Sequence, residues 1–334
     1  MASRQPIESP AVWRARDVAD DAQWTWRLSH VERDAITTAA RSAATLGRTT
    51  STLTRSQFDL PALRPLVSAS LASLLQGQGF ILIRGFPIGE LSPVETELAY
   101  VGFGLQLGSP VGQDADATLL GHVRDERVSR TDPGVRLYRT SQRQDFHTDG
   151  SDIVGLLCLS SARMGGESRI ASSFGIYNEI LRRRPDLLEV LYEPMFWDRN
   201  NEESSGEDPF FSLPVLNDVS GSPRLFYIGW YIRDAQRHPG VPRLTKAQKE
   251  AMNFIESMAN DPEHHLEMTF EPGDVQLLSN AKILHSREAY EDYDEPERRR
   301  HLLRLWLTTY DVASVDDVLR GGIPKRDGVA SEEG

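Results

Sequence analysis

The sequence predicts a mainly β fold with flanking helices, an antiparallel sandwich or barrel with helices packed outside it. Three observations lead there. From about residue 110 the chain breaks into short strand-like runs separated by Gly, Pro, Asp and Asn. Those runs are irregularly spaced and no internal repeat joins them. The first hundred residues instead carry helical patterns. No linker divides the two textures, so one domain is expected over residues 1–320. Its strand-rich core lies at roughly 110–310 with the helical N-terminal part packed on it. A charged, Gly-rich tail at 321–334 is expected to be flexible.

In chain order, residues 30–46 are Ala-rich with few breakers and read as a helix. Residues 60–76 place Leu63, Leu66, Val67, Leu71, Leu74 and Leu75 at helical spacing. Phe80 to Ile83 is a short buried strand stopped by Gly85. Ser92-Pro93 with Glu95 is a helix start: the hydroxyl caps, Pro fits the first turn and Glu reaches back. Strands follow at 118–124, 153–160, 169–173, 209–216, 224–229, 264–270, 275–279 and 300–310. Helices are expected at 175–191 and 243–259, the second opened by the capping box of Thr245 and Gln248.

The 334 residues carry 37 basic and 49 acidic side chains, a net charge of -12. That balance disfavours a nucleic-acid-binding surface while allowing a local basic pocket. The lone cysteine, Cys158, forms no intrachain disulfide and no cysteine-rich zinc or iron–sulfur site. It fits a reducing compartment. The first 25 residues hold no apolar signal region, and no apolar run approaches the ~18 residues of a membrane span. A cytoplasmic protein with neither nucleic-acid nor membrane partners is expected; no feature specifies an oligomeric state.

Eight histidines and 49 acidic residues give about one His-x-Asp/Glu by chance, and the chain holds three. His30 and Glu32 open a helix, where residues two apart point to different sides, so they read as a surface pair. His265 and Glu267 alternate with Leu266 and Met268 on a half-buried strand. His147-Thr148-Asp149 differs because it precedes the continuous apolar run Ile153 to Leu159. In an extended segment His147 and Asp149 share one face and can take adjacent positions on one metal; a surface turn is the alternative. Further on, His285 is followed after fifteen residues by Arg300 and then Arg304. On a strand Arg298, Arg300, Leu302 and Arg304 share one face. Arg304 lies between Leu303 and Leu305-Trp306, where a buried guanidinium calls for a carboxylate partner.

The set His147-x-Asp149, Gly165-Gly166-Glu167-Ser168, His285 and Arg300-His301-Leu302-Leu303-Arg304 resembles the iron(II)/2-oxoglutarate-dependent dioxygenases. Within them it is similar to the taurine dioxygenase (TauD/TfdA-like, clavaminate-synthase-like) branch, over roughly residues 75–310. The resemblance implies a double-stranded β-helix (jelly roll) core. It implies that His147, Asp149 and His285 ligate Fe(II) and that Arg300 pairs with the distal carboxylate of 2-oxoglutarate. Ser168 stands where the family commonly has Thr, whose hydroxyl bonds the co-substrate. Arg304 matches a second arginine near the co-substrate or an anionic substrate group. The implied reaction consumes O2 and 2-oxoglutarate, releases succinate and CO2, and hydroxylates an unactivated C–H bond of a small-molecule substrate.

Desaturation, cyclisation or epimerisation by the same cofactors is the alternative outcome. Halogenation is disfavoured, because halogenating relatives lack the carboxylate ligand and Asp149 is present. A non-catalytic jelly roll that binds a small acid is the competing class, and the complete ligand set argues against it. Gly165-Gly166 reads as a turn and Cys158 as core packing. Arg287 and Tyr290 follow the distal histidine closely enough to line the site. The loops at 109–145 and 196–222 are expected to set the substrate.

Overall fold

A computed structural model describes residues 4–114, 116–129, 135–203, 206–219 and 221–309 of the chain. The tail expected at 321–334 lies outside the described residues.

The N-terminal part follows its caps. After β1 (Thr25–Arg27) comes α1 (His30–Thr45), where Ser29 and Glu32 form a reciprocal capping box. Glu32 also accepts from the indole N–H of Trp26 at 3.1 Å and is buried. It is therefore not the surface partner of His30 that the sequence predicts; exposed His30 pairs with Asp34 instead. The leucine-rich stretch at 60–76 becomes a 3-10 turn, α2 (Arg64–Leu71) and a π turn over 72–76. β2 (Phe80–Arg84) and α3 (Pro93–Leu107) form as expected, the latter capped by Ser92 and Glu95.

The strand-rich part opens with β3 (Ser109–Pro110), β4 (Leu120–Val123), β5 (Gln144–His147), β6 (Ile153–Ser160), β7 (Met164–Gly165) and β8 (Ser168–Ser172). Helices α4 (Ser173–Arg183) and α5 (Pro185–Leu191) follow. Two hairpins come next: β9 (Pro194–Asp198) with β10 (Phe210–Pro214), and β11 (Leu216–Val219) with β12 (Ser222–Leu225). Then come α6 (Gly229–Asp234), α7 (Lys246–Asn260), β13 (His265–Met268), β14 (Val275–Ser279), β15 (Ile283–Arg287), β16 (Tyr290–Glu291) and β17 (His301–Thr308).

One sheet has the order β1-β2-β14-β6-β17-β3, with β4 also paired to β17; a second has the order β13-β8-β15-β5. Every pairing except β1–β2 is antiparallel. The strands alternate their faces, and this builds the layers. Phe80, Leu82, Cys158 and Leu302 of the larger sheet pack against Ile170, Met268 and Ile283 of the smaller one. The opposite face of the larger sheet, with Ile81, Leu277, Leu303 and Leu305, lies on α1–α3. Ala171 and Leu284 on the outer face of the smaller sheet lie on α4, α5 and α7. The result is a mixed fold of many strands with helices outside, as the sequence predicts.

Several elements differ. The helix expected at 175–191 breaks at Arg184, whose backbone (φ -146°, ψ 63°) leaves the helical region because Pro185 follows it. The strand expected at 224–229 ends at Leu225, and Gly229 starts α6. Arg298 is not on the strand of Arg304. It closes a 3-10 turn, is exposed, and stacks over Tyr293 at 3.8 Å. Strands β5, β9 and β15 form where no strand is expected.

Candidate active site

The inner faces of the two sheets converge on one polar spot. His147 is the last residue of β5, and β15 sets His285 directly across from it, with ring centroids 4.2 Å apart. Two residues on, Asp149 turns back to the same side. Its Oδ1 lies 3.8 Å from Nε2 of His147 and its Oδ2 lies 3.6 Å from Nε2 of His285. One ligand atom from each residue falls within 4.8 Å of the others, and all three residues are buried. Thr148 points away and bonds the backbone of Tyr227. Asn280 fixes the turn: its side-chain oxygen accepts the Asp149 N–H at 3.0 Å and its amide donates to the Ser151 carbonyl at 2.7 Å.

Burial alone would raise the Asp149 carboxyl, but Arg304, with His285 and His147, outweighs it and holds the acid below its usual range. Arg304 Nη1 lies 3.7 Å from Oδ2, and the Trp306 indole N–H donates to the same oxygen at 3.0 Å. Burial, followed by the His285 ring, lowers His147 to about 3. A neutral His147 imidazole and an ionised Asp149 carboxylate are the protonation states a metal requires. Two histidines and one carboxylate with room beside them form the donor set of open-coordination iron(II) oxygenases. Nδ1 of His285 is buried without a partner, whereas Nδ1 of His147 bonds the Asp145 carbonyl at 2.8 Å.

A narrow cavity runs from His147 and His285 between the sheets, past Ser168, Arg287, Arg300 and Arg304. Burial lowers the pKa of Arg300, which is 5 % exposed. Its Nη2 lies 3.5 Å from the Gly166 carbonyl, and its Nη1 is buried with no partner. Gly166 has φ +80°, and a Cβ there would sit 3.0 Å from Arg300 Nε. The glycine turn thus admits the guanidinium. Ser168 Oγ donates to Gln276 at 3.1 Å.

A wider cavity opens on the other side of His147 and Asp149. Trp230, Tyr231, Phe226 and Phe211 line it, with Arg136 and Glu202 at its rim. Arg136 forks onto Glu202 and donates to the Gln113 carbonyl at 2.7 Å. The Gln113 side chain in turn accepts from Arg304 Nε at 2.7 Å. A continuous, partly buried chain therefore links the Asp149 carboxylate to the loop after β9.

All six residues singled out from the sequence, His147, Asp149, Ser168, His285, Arg300 and Arg304, border one or both cavities. Trp306, Gln113 and Trp230 were missed. Parity along β17 carries the signal for Trp306, which shares a face with Leu302 and Arg304. Gln113 sits alone in a loop and carries none.

Residues 44–306 match the family model described as taurine catabolism dioxygenase TauD, TfdA family. The match begins earlier than the sequence motifs, within α1. The chain is 32 % identical over 311 residues to FR-33289 synthase of Streptomyces rubellomurinus, covering 91 % of each chain. Its fold is similar to the solved structure of asparagine oxygenase in complex with Fe(II), 3-hydroxyasparagine and succinate. There the TM-score is 0.66 at 18 % identity, over 85 % of this chain and 93 % of that one. It is also similar to the non-heme iron oxygenase OrfP in complex with Fe and α-ketoglutaric acid, with TM-score 0.63 at 17 % identity over 85 % and 93 % of the two chains.

Proposed function

The chain belongs to the TauD/TfdA family and is an iron(II)- and 2-oxoglutarate-dependent oxygenase that consumes O2. From that premise we propose that His147, Asp149 and His285 hold the iron, that Arg300 and Ser168 receive 2-oxoglutarate, and that Arg304 borders both co-substrate and substrate. The reading rests on one observation. The His–Asp–His cluster sits at the mouth of a cavity that also holds a buried guanidinium with an unpartnered N–H.

Bound there, iron supplies the redox chemistry that couples decarboxylation of 2-oxoglutarate, giving succinate and CO2, to oxidation of an unactivated C–H bond. The chain does the rest. Trp306 and Arg304 hold the Asp149 carboxylate ionised and oriented. Arg300 neutralises the distal carboxylate, and the Ser168 hydroxyl, which donates to Gln276 in the free site, turns its proton to that carboxylate instead. The wider cavity receives a small organic substrate against Trp230 and Tyr231. Hydroxylation is the proposed outcome, and family membership disfavours the non-catalytic binder.

On the same reading the two facing sheets are the halves of a double-stranded β-helix within one domain over residues 1–320. The cytoplasm suits the lone buried Cys158. Among the described residues no helix is long and apolar enough to cross a membrane.

Succinate release from 2-oxoglutarate, measured aerobically with Fe(II) and candidate substrates, tests the reading. Asp149→Ala should lose iron and turnover while circular dichroism shows the fold retained. Succinate formation at the parent rate by that variant refutes the metal assignment.

A further inference from the structure

Arg300 is not the only guanidinium buried in the narrow cavity without a counter-ion. Arg287 lies two residues past His285 on β15, so its side chain shares the inward face of that histidine. It is 6 % exposed and borders the same cavity as Arg300. One of its nitrogens, Nη2, donates to the Gln142 carbonyl, while Nε and Nη1 are buried with no partner. Both guanidinium groups rest on the ring of Tyr290, at 4.8 Å and 5.0 Å from its centroid. Among the described residues no carboxylate lies within ion-pair distance of either; Asp125 and Asp292 are the nearby acids, and Asp292 accepts the backbone N–H of Arg300.

Two buried like charges repel each other, and each leaves N–H groups desolvated, so the pair is costly unless an anion sits between them. A carboxylate has two oxygens with about four acceptor positions. One guanidinium fork fills half of them, and a second fills the rest. Resting on the assignment of this cavity to 2-oxoglutarate, we infer that Arg287 is a second arginine for the distal carboxylate. The co-substrate is thus clamped by Arg287 and Arg300 together, with Tyr290 as the platform of both. Through the Gln142 carbonyl the clamp also fixes the segment that leads into β5 and His147.

The test compares two keto acids that differ only at the inferred contact. Calorimetric titration of the anaerobic Fe(II) protein with 2-oxoglutarate and with 2-oxovalerate, which lacks the distal carboxylate, reads binding without turnover. Arg287→Gln should raise the Kd for 2-oxoglutarate at least tenfold and leave 2-oxovalerate unchanged within twofold. Arg287→Lys, which keeps the charge but not the fork, should recover part of the loss. Equal weakening of both keto acids, or no change for either, overturns the inference and returns Arg287 to packing. Arg300→Gln is the control. If it loses selectivity for the dicarboxylate while Arg287→Gln does not, only this inference fails. If the parent protein shows no iron-dependent preference for 2-oxoglutarate, the assignment of the cavity fails with it.

Discussion

Asp149 meets two demands with one carboxylate. Oδ2 accepts from the Trp306 indole and faces Arg304, while Oδ1 points toward His147. Removing the indole N–H leaves a buried charged oxygen short of a donor, at a cost of about 1.5–3 kcal/mol. Trp306→Phe should therefore weaken Fe(II) binding roughly tenfold in an anaerobic titration, and unchanged affinity would show that Arg304 suffices. Arg304→Gln should uncouple the reaction, giving succinate without product, while the melting temperature stays close to the parent value. A much lower melting temperature with normal coupling would make the Arg304–Asp149 contact purely structural. Arg300→Ala removes the charged partner of a buried carboxylate, worth on the order of 3–5 kcal/mol. The 2-oxoglutarate requirement should then rise a hundredfold or more with little change in iron affinity.

At the scale of elements, α3 approaches its neighbours closely where two of its residues lack a Cβ: one on Gly104 would come within 2.2 Å of Leu305 on the larger sheet. A Cβ on Gly102 would come within 2.4 Å of the buried Phe58 ring. Glycine costs about 1 kcal/mol of helix propensity here, yet Gly102→Ala should destabilise by about 1–3 kcal/mol through overpacking. Thermal unfolding checks the sign. Elements with local signals were legible: the capping boxes at Ser92 and Thr245 and the apolar run of β6 appear where they were expected. β15 was not, because Ile283, Leu284, His285, Ser286 and Arg287 are all buried and show no polar–apolar alternation. β5 is polar throughout except for Phe146, and β9 opens on a proline. Three of the proposed ligand and anion-binding positions thus sit on strands that function, not periodicity, marks out. Arg287 shows the gap most clearly: the sequence placed it near the site, but only burial without a counter-ion exposed its charge.

For the whole molecule, the edge strand β4 gives a pH dependence. His122 Nδ1 and His301 Nε2 are 2.9 Å apart across β4 and β17. Burial, then His122 and Arg124, lowers His301 to about 4, against about 6.5 in the unfolded chain. Between those values the unfolded chain binds a proton that the folded one refuses. This contribution is therefore complete above about pH 6.5 and lost progressively as pH falls to about 4. The group is only partly buried, so screening reduces its worth to about 1–2 kcal/mol. Denaturant melts from pH 7 to 4 should fall less steeply for His301→Gln than for the parent; parallel slopes would assign the acid sensitivity elsewhere.

β17 serves the site and the core at once. Arg304 and Trp306 face the reaction, while Leu303, Leu305 and Leu307 face the helices. Chemistry and cohesion are thus interleaved on one strand, residue by residue. The gene can rewrite one set without editing the other, so new substrates need not cost the scaffold. The same interleaving makes length unforgiving. Deleting a single codon within this strand would turn Arg304 and Trp306 toward the helical core and the neighbouring leucines toward the site, whereas losing two would restore the order. Lineages of this enzyme should tolerate substitutions along β17 far better than they tolerate odd-numbered gaps.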